Sequence, residues 1–268
     1  MPTDTARRRW EAGLAAVIAI QLAVAVVTIV QTDERGWRTR AAGACEVRSH
    51  PAQDQLADDL VGLCQIAVRD VTAVWGRDWA QRAELVVAAD DGELGRLLGG
   101  GSGLEEVAAV TRDSQVFVNA AAFRLLSDAG RRVVTTHEVT HLATGAVRGR
   151  GVPTWLIEGF ADYVGYLHAG VPLRLAAIEL TDEVRRGQVP SRLPDEGAFD
   201  GGRQPSAYEQ SWLAVSLLAR THGQREVVRF YRAVAAGSSL QRALPLLLGI
   251  SLSQLTTDWR ADLLARLR

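Results

Sequence analysis

The chain has 268 residues, 47% hydrophobic and 23% charged, which is enough for one large domain or two small ones with a sizeable core. A formal net charge of −1 leaves no basic footprint and argues against nucleic acid as a partner.

From the N-terminus, Arg7, Arg8 and Arg9 precede an apolar run from Gly13 to Val30, with Gln21 its polar cost near the middle. A bilayer core takes about 20 mostly apolar helical residues. Residues 10–31 are therefore expected to form a transmembrane signal-anchor helix behind a cytoplasmic tail, 1–9. A cleaved signal peptide is the competing reading, and a buried hairpin a third. Cleavage should follow small residues just past the run, where Gln31, Thr32, Asp33, Glu34 and Arg35 stand instead. Arg35, Arg38 and Arg40 follow the span, so positive charge alone hardly orients it. With most of the chain beyond the span, the expectation is a single-pass cell-membrane protein whose folded part is extracytoplasmic. Cys45 and Cys64, the only cysteines, fit one disulfide in such a compartment; two buried thiols are the alternative. One straight helix through both would keep the sulfurs apart, because a bridge needs Cα atoms within about 7 Å. A disulfide therefore requires Cys45 to lie in a segment that folds back.

Residues 32–82 read as a helical juxtamembrane segment. Leu56, Leu60, Leu63, Ile66, Val71 and Val74 recur at helical spacing, and the helix is expected to end near Gly76. "AELVVAA" (83–89), bounded by Asp90-Asp91-Gly92, reads as a strand. "VAAVT" (107–111) and "QVFVNA" (115–120), separated by Arg112-Asp113-Ser114, read as a hairpin. Helical pattern resumes near Ala121, with a further helix from about Gly130 to Thr144. "TWLIEGFADYVGYLHAG" reads as another, with Thr154 placed to cap it and Gly170 to end it. A loop over about 190–206 leads to helices broken at Gly223, Gly237 and Gly249. Strands first and helices after them make an α+β plan.

The stretch "VVTTHEVTHLAT" carries His137 and His141 four apart, hence on one helix face, where two imidazoles can share a zinc ion. Glu138 lies about 100° around the helix from His137 and suits a base for a water activated at that metal. Three polar residues on an ordinary helix are the bland reading, and the five-residue pattern alone does not decide. A catalytic zinc needs three protein ligands and an open position. Glu158 stands among Trp155, Leu156, Ile157 and Phe160, where an uncompensated carboxylate costs several kcal/mol; ligation removes that cost. Asp162, one turn on, is placed to hydrogen-bond the far nitrogen of a ligating histidine; a solvated face for Glu158 and Asp162 is the bland alternative.

His137-Glu138-x-x-His141 followed by Glu158 within W-L-x-E-G-x-A-D-Y resembles the thermolysin-like zinc metallopeptidases, the gluzincins, and most of all their compact, often membrane-anchored "peptidase MA-like" members. The resemblance covers roughly Ala83 to Arg268. It implies a zincin-like α+β fold over 83–268: a small, mostly antiparallel sheet with the HExxH helix as active-site helix, then a helical C-terminal part. It implies one Zn²⁺ per chain on His137, His141 and Glu158, Glu138 as general base, and Asp162 behind a zinc histidine. The hairpin then resembles the edge strands beside the cleft, and "AYEQSWLAVSLLARTHG" the helix that follows. Metzincins would need a third histidine in H-E-x-x-H-x-x-G-x-x-H, which is missing here. Tyr208, opening the C-terminal helix, is the candidate to stabilise the oxyanion; a packing aromatic is the alternative. His168 and His222 are weaker candidates, His50 has no role, and Trp155, Trp212 and Trp259 read as core. The implied activity is hydrolysis of peptide or protein substrates. An inactive binding or scaffold module, and a zinc amidohydrolase acting on cell-wall amides, are the alternatives.

Overall fold

The computed structural model describes residues 29–34, 36–100, 104, 107–145, 151–199 and 204–268. The expected anchor therefore lies outside the described residues except at its end, where Ile29–Thr32 form a strand, β1, rather than helix. Among the described residues, no helix is long and apolar enough to cross a membrane.

Apolar alternation builds the sheet. In β4 (Ala83–Ala88), Leu85 and Val87 face the main core while Val86 and Ala88 face a smaller cluster on the other side. In β6 (Gln115–Asn119), Val116 and Val118 point one way and Phe117 the other. Both strands therefore sit inside the sheet, covered on both faces. With β2 (Arg38–Ala42), β3 (Cys45–Ser49) and β5 (Ala109–Arg112), the strand order is β1-β2-β3-β4-β6-β5. The pairs β1–β2, β2–β3 and β5–β6 are antiparallel, and β3–β4 and β4–β6 parallel. The sheet is thus mixed, with three antiparallel pairings of five, and β5 is an outer strand. Asp113 and Ser114 turn the β5–β6 hairpin with φ of 49° and 71°, the left-handed pair that matches strand twist in a two-residue turn.

Residues 32–82, expected to be helical, hold β2 and β3 ahead of α1 (Asp54–Trp75). Helix periodicity caught α1; the five-residue strands before it are Arg-rich and too short to announce themselves. The long helix is the crossover that a parallel β3–β4 pair requires. Its buried Leu60, Ala67 and Val71 join Val47, Leu85 and Val139 in the main core. Cys45 and Cys64 are bridged, with Cα atoms 6.0 Å apart, because β3 runs back along α1. On the opposite face lies α2 (Asp91–Leu97), capped by Asp90, whose carboxylate accepts from the Glu93 amide at 2.9 Å.

The helices that follow are α3 (Ala120–Leu125), α4 (Asp128–Thr144), α5 (Thr154–Tyr166), the short α6 (Leu173–Ala176), α7 (Ile178–Arg185), α8 (Gln204–His222), α9 (Gln224–Ala235), α10 (Leu240–Leu248) and α11 (Leu252–Leu267). The breaks between α8 and α11 contain Gly223, Gly237 and Gly249, as expected. Trp155, Trp212 and Trp259 are buried. Two helix ends differ from expectation. Pro153 occupies the N-cap of α5, and Thr154 is its first residue, its amide and hydroxyl bound instead by Glu196 from the loop. The helix also stops at Tyr166, before Gly170.

Candidate metal centre

Helix α4 is capped by Ser127, whose hydroxyl accepts from the Gly130 amide at 3.1 Å, and is closed by Gly145 in the left-handed conformation, φ 64°. One turn apart near its C-terminal end, His137 and His141 bring their Nε2 atoms to 2.9 Å. From α5, Glu158 places Oε2 3.2 Å from His137 Nε2 and 3.4 Å from His141 Nε2. Three donor atoms thus form a nearly equilateral triangle. Ligand atoms about 2.0–2.1 Å from a tetrahedral zinc lie roughly 3.3 Å from one another, so the triangle fits such an ion.

Donor chemistry agrees with the spacing. The Asp162 carboxylate lies 2.8 Å from His137 Nδ1, which makes Nδ1–H the donor and leaves a lone pair on Nε2. Two ring nitrogens and a carboxylate oxygen converging this closely call for positive charge between them, a proton or a metal ion. Burial works against a charged His137, but the carboxylates of Asp162, Glu158 and Glu138 outweigh it and hold its pKa well above the usual histidine value. For Glu158, burial alone would favour the neutral acid, yet the two imidazoles bring its pKa far below the carboxylate range. Asp162 is raised, chiefly by burial and partly by the Glu158 charge, against the pull of His137.

Close helix packing places Glu158. A Cβ on the adjacent Gly159 would meet the Ser211 carbonyl oxygen at 2.4 Å, so α5 and α8 approach as they do only because this residue has no side chain. One at Gly165 would stand 3.1 Å from the Val133 carbonyl oxygen, so α5 also packs tightly, though less so, against α4. Glu138, buried at the sheet side of α4, accepts a hydrogen bond at Oε2 from the Thr111 hydroxyl of β5 at 2.6 Å. Tyr208 sits in the first turns of α8 with its ring 6.5 Å from that of His137 and edge-on to Phe199 at 5.4 Å. A cavity of about 340 Å³ holds His137, Glu138, His141, Glu158 and Tyr208 together. A second, about 470 Å³, shares His137, Glu138 and Tyr208 and continues between Leu126, Val134, Tyr166 and Trp212, the last two stacked at 4.3 Å. Another cavity, about 580 Å³ around 188–198, contains none of the cluster.

The residues singled out on zinc-site grounds therefore lie together, around two cavities that share His137, Glu138 and Tyr208. The remaining histidines do not: His50 is held by Glu93 and Trp37, His168 is exposed, and His222 ends α8. Sequence reasoning missed Thr111, Tyr166 and Glu209. Only the edge-strand resemblance of "VAAVT" hinted at the first, and neither of the others carries a local signal. Glu209, on α8, accepts from the Leu180 amide at 2.7 Å at the start of α7; burial and a hydrogen bond shared with Glu179 push its pKa up to about 9.

Residues 113–265 match the family model described as Peptidase MA superfamily. No curated protein matches the chain. Among solved structures, it is similar to a mutant M1 zinc metallopeptidase of Deinococcus radiodurans bound to a Tyr-Ser-Ala substrate, at 16% identity and a TM-score of 0.47, covering 87% of this chain and 51% of that one. Mutant two-domain M1 zinc metallopeptidases bound to L-tryptophan (16% identity, 87% and 51% covered, TM-score 0.47) and to L-arginine (15%, 88% and 51%, 0.46) are similar to the same degree. The chain spans about half the length of these structures.

Proposed function

The chain belongs to the peptidase MA superfamily, and from that premise we propose that it is a zinc-dependent, thermolysin-like peptidase whose site is His137, His141 and Glu158 with Glu138 beside them. The observation that carries this reading is the triangle of three donor atoms in a cleft that also contains a carboxylate and a phenol.

Bound by the three donors, zinc supplies a Lewis acid for an attacking water and a scissile carbonyl. Glu138 takes the water's proton and returns it to the leaving amine, one carboxylate serving as base and then as acid. Asp162 holds His137 in the tautomer that presents Nε2 to the ion. Tyr208 donates its hydroxyl hydrogen to the oxygen that gains charge as the carbonyl carbon becomes tetrahedral. The apolar walls of the larger cavity receive a bulky apolar side chain next to the scissile bond.

In the test, the purified chain is loaded with zinc and offered a peptide library. About one zinc per chain and chelator-sensitive cleavage are expected. Glu138→Gln should keep the metal and lose roughly 10²-fold or more in kcat. A chain that binds no zinc sinks the proposal; one that binds zinc and cleaves no peptide favours a scaffold or a non-peptide amide substrate.

Membrane tethering through the apolar run ahead of β1 belongs to the same reading, with the sheet and helices that follow, from β1 onward, as the extracytoplasmic peptidase. It is supported by the apolar run from Gly13 to Val30 and by the Cys45–Cys64 disulfide, a bond that persists in oxidising compartments. Release of the chain from membranes by alkaline washing would refute the tether.

A further inference from the structure

We infer that Thr111 is the positioning residue of the general base, an inference that rests on the reading of Glu138 given above. Thr111 lies on the outer strand β5, and its side chain is buried although the strand is at the sheet edge. Its Oγ1 is 2.6 Å from Glu138 Oε2 and 3.0 Å from the Glu138 main-chain oxygen. A hydroxyl has one hydrogen to give. The shorter contact and the charged acceptor assign it to Oε2, at the length of a charge-assisted O–H···O⁻ bond.

Two features make the bond a constraint on orientation. Threonine is stiff at χ1, and Thr111 is fixed in register opposite Val116 of β6, an inside strand. Glutamate has three rotatable bonds, and Glu138 protrudes from the middle of a helix whose own hydrogen bonds leave its carboxylate unfixed. With Oε2 engaged by Thr111, Oε1 is the oxygen left to meet a water beside the His137–His141–Glu158 triangle. The edge strand that borders the cleft thus also aims the base within it.

The test compares the zinc-loaded full chain with Thr111→Val, which removes the hydroxyl at equal volume, and Thr111→Ser, which keeps it. On a peptide that the wild type cleaves, Thr111→Val should lower kcat about 10- to 100-fold with KM nearly unchanged, at wild-type zinc content and Tm. Thr111→Ser should restore most of the loss. Wild-type kcat in Thr111→Val overturns the inference, and so does a loss that accompanies zinc release or a lower Tm and that serine does not repair. Crystal structures of zinc-loaded wild type and Thr111→Val give a readout independent of turnover: the Glu138 carboxylate should leave its orientation in the variant, and an unmoved carboxylate overturns the inference. Absence of any cleavage by the wild type would instead count against Glu138 as a base, leaving the crystallographic result to decide Thr111.

Discussion

Asp162 shows how a residue outside the donor triangle can set the quality of the proposed metal site. Its carboxylate is buried, has a raised pKa, and accepts a hydrogen bond from His137 Nδ1 at 2.8 Å. Partners of this kind fix ring orientation and raise ligand basicity, and losing one weakens metal affinity by roughly 10- to 100-fold. Asp162→Asn keeps the shape and removes the charge. Zinc affinity, measured by competition with a chelator, should therefore fall by about tenfold or more, and an unchanged affinity would show that the contact is only packing. The pattern in the sequence made Asp162 legible, since Glu158 and Asp162 share one helix face whatever surrounds them.

At the scale of elements, the site is where α4, α5, α8 and β5 meet, and each junction has its own physical cause. Gly159 lets α5 approach α8, Gly165 lets it approach α4, and the Thr111 hydroxyl ties β5 to α4. Between α7 and α8 the tie is the Glu209 carboxyl, which accepts the Leu180 amide and keeps its proton up to about pH 9 because of burial and Glu179. An unfolded glutamate releases that proton near pH 4.3. Across the interval the folded chain holds a proton that the unfolded chain has lost, so stability falls as pH rises from about 4.5 to about 9 and levels off beyond. Glu209→Gln retains the acceptor and removes the titration. The wild-type Tm should decline relative to that variant between pH 5 and 9, and parallel Tm profiles would contradict the assignment. Neither residue of this pair could be picked out from spacing, because α7 and α8 are joined by a loop whose path no local rule dictates.

For the whole molecule, the first and second parts of the chain share one sheet and one core. Val47 of β3 and Leu60 of α1 are fully buried with Phe160 of α5 and Leu218 of α8. The Cys45–Cys64 bridge closes a loop across nineteen positions between β3 and the helix that packs behind α4. Opening a loop of that size removes a constraint on the unfolded chain worth about 3 kcal/mol. Cys45→Ser with Cys64→Ser, or reduction, should lower the free energy of unfolding by about that amount in denaturant titration while zinc binding at neutral pH persists. Loss of zinc binding in a still folded double variant would mean that the β3–α1 unit shapes the site directly.

Periodicity and spacing by themselves determined much of this protein: α1, the β5–β6 hairpin, the breaks at Gly223, Gly237 and Gly249, and the face shared by His137 and His141. These follow from 3.6 residues per turn and from turn chemistry, which act within a few residues. The short, Arg-bearing strands β2 and β3 were not legible, because a strand is recognised by partners that lie far away in the chain. Only tertiary structure decided that Glu158 closes a triangle with the two histidines at 3.2 and 3.4 Å. It alone decided that Thr111, twenty-seven residues upstream, reaches the Glu138 carboxylate. Convergence of this kind depends on how closely helices and strands pack, and here two glycines without side chains and one strand at the sheet edge set those distances.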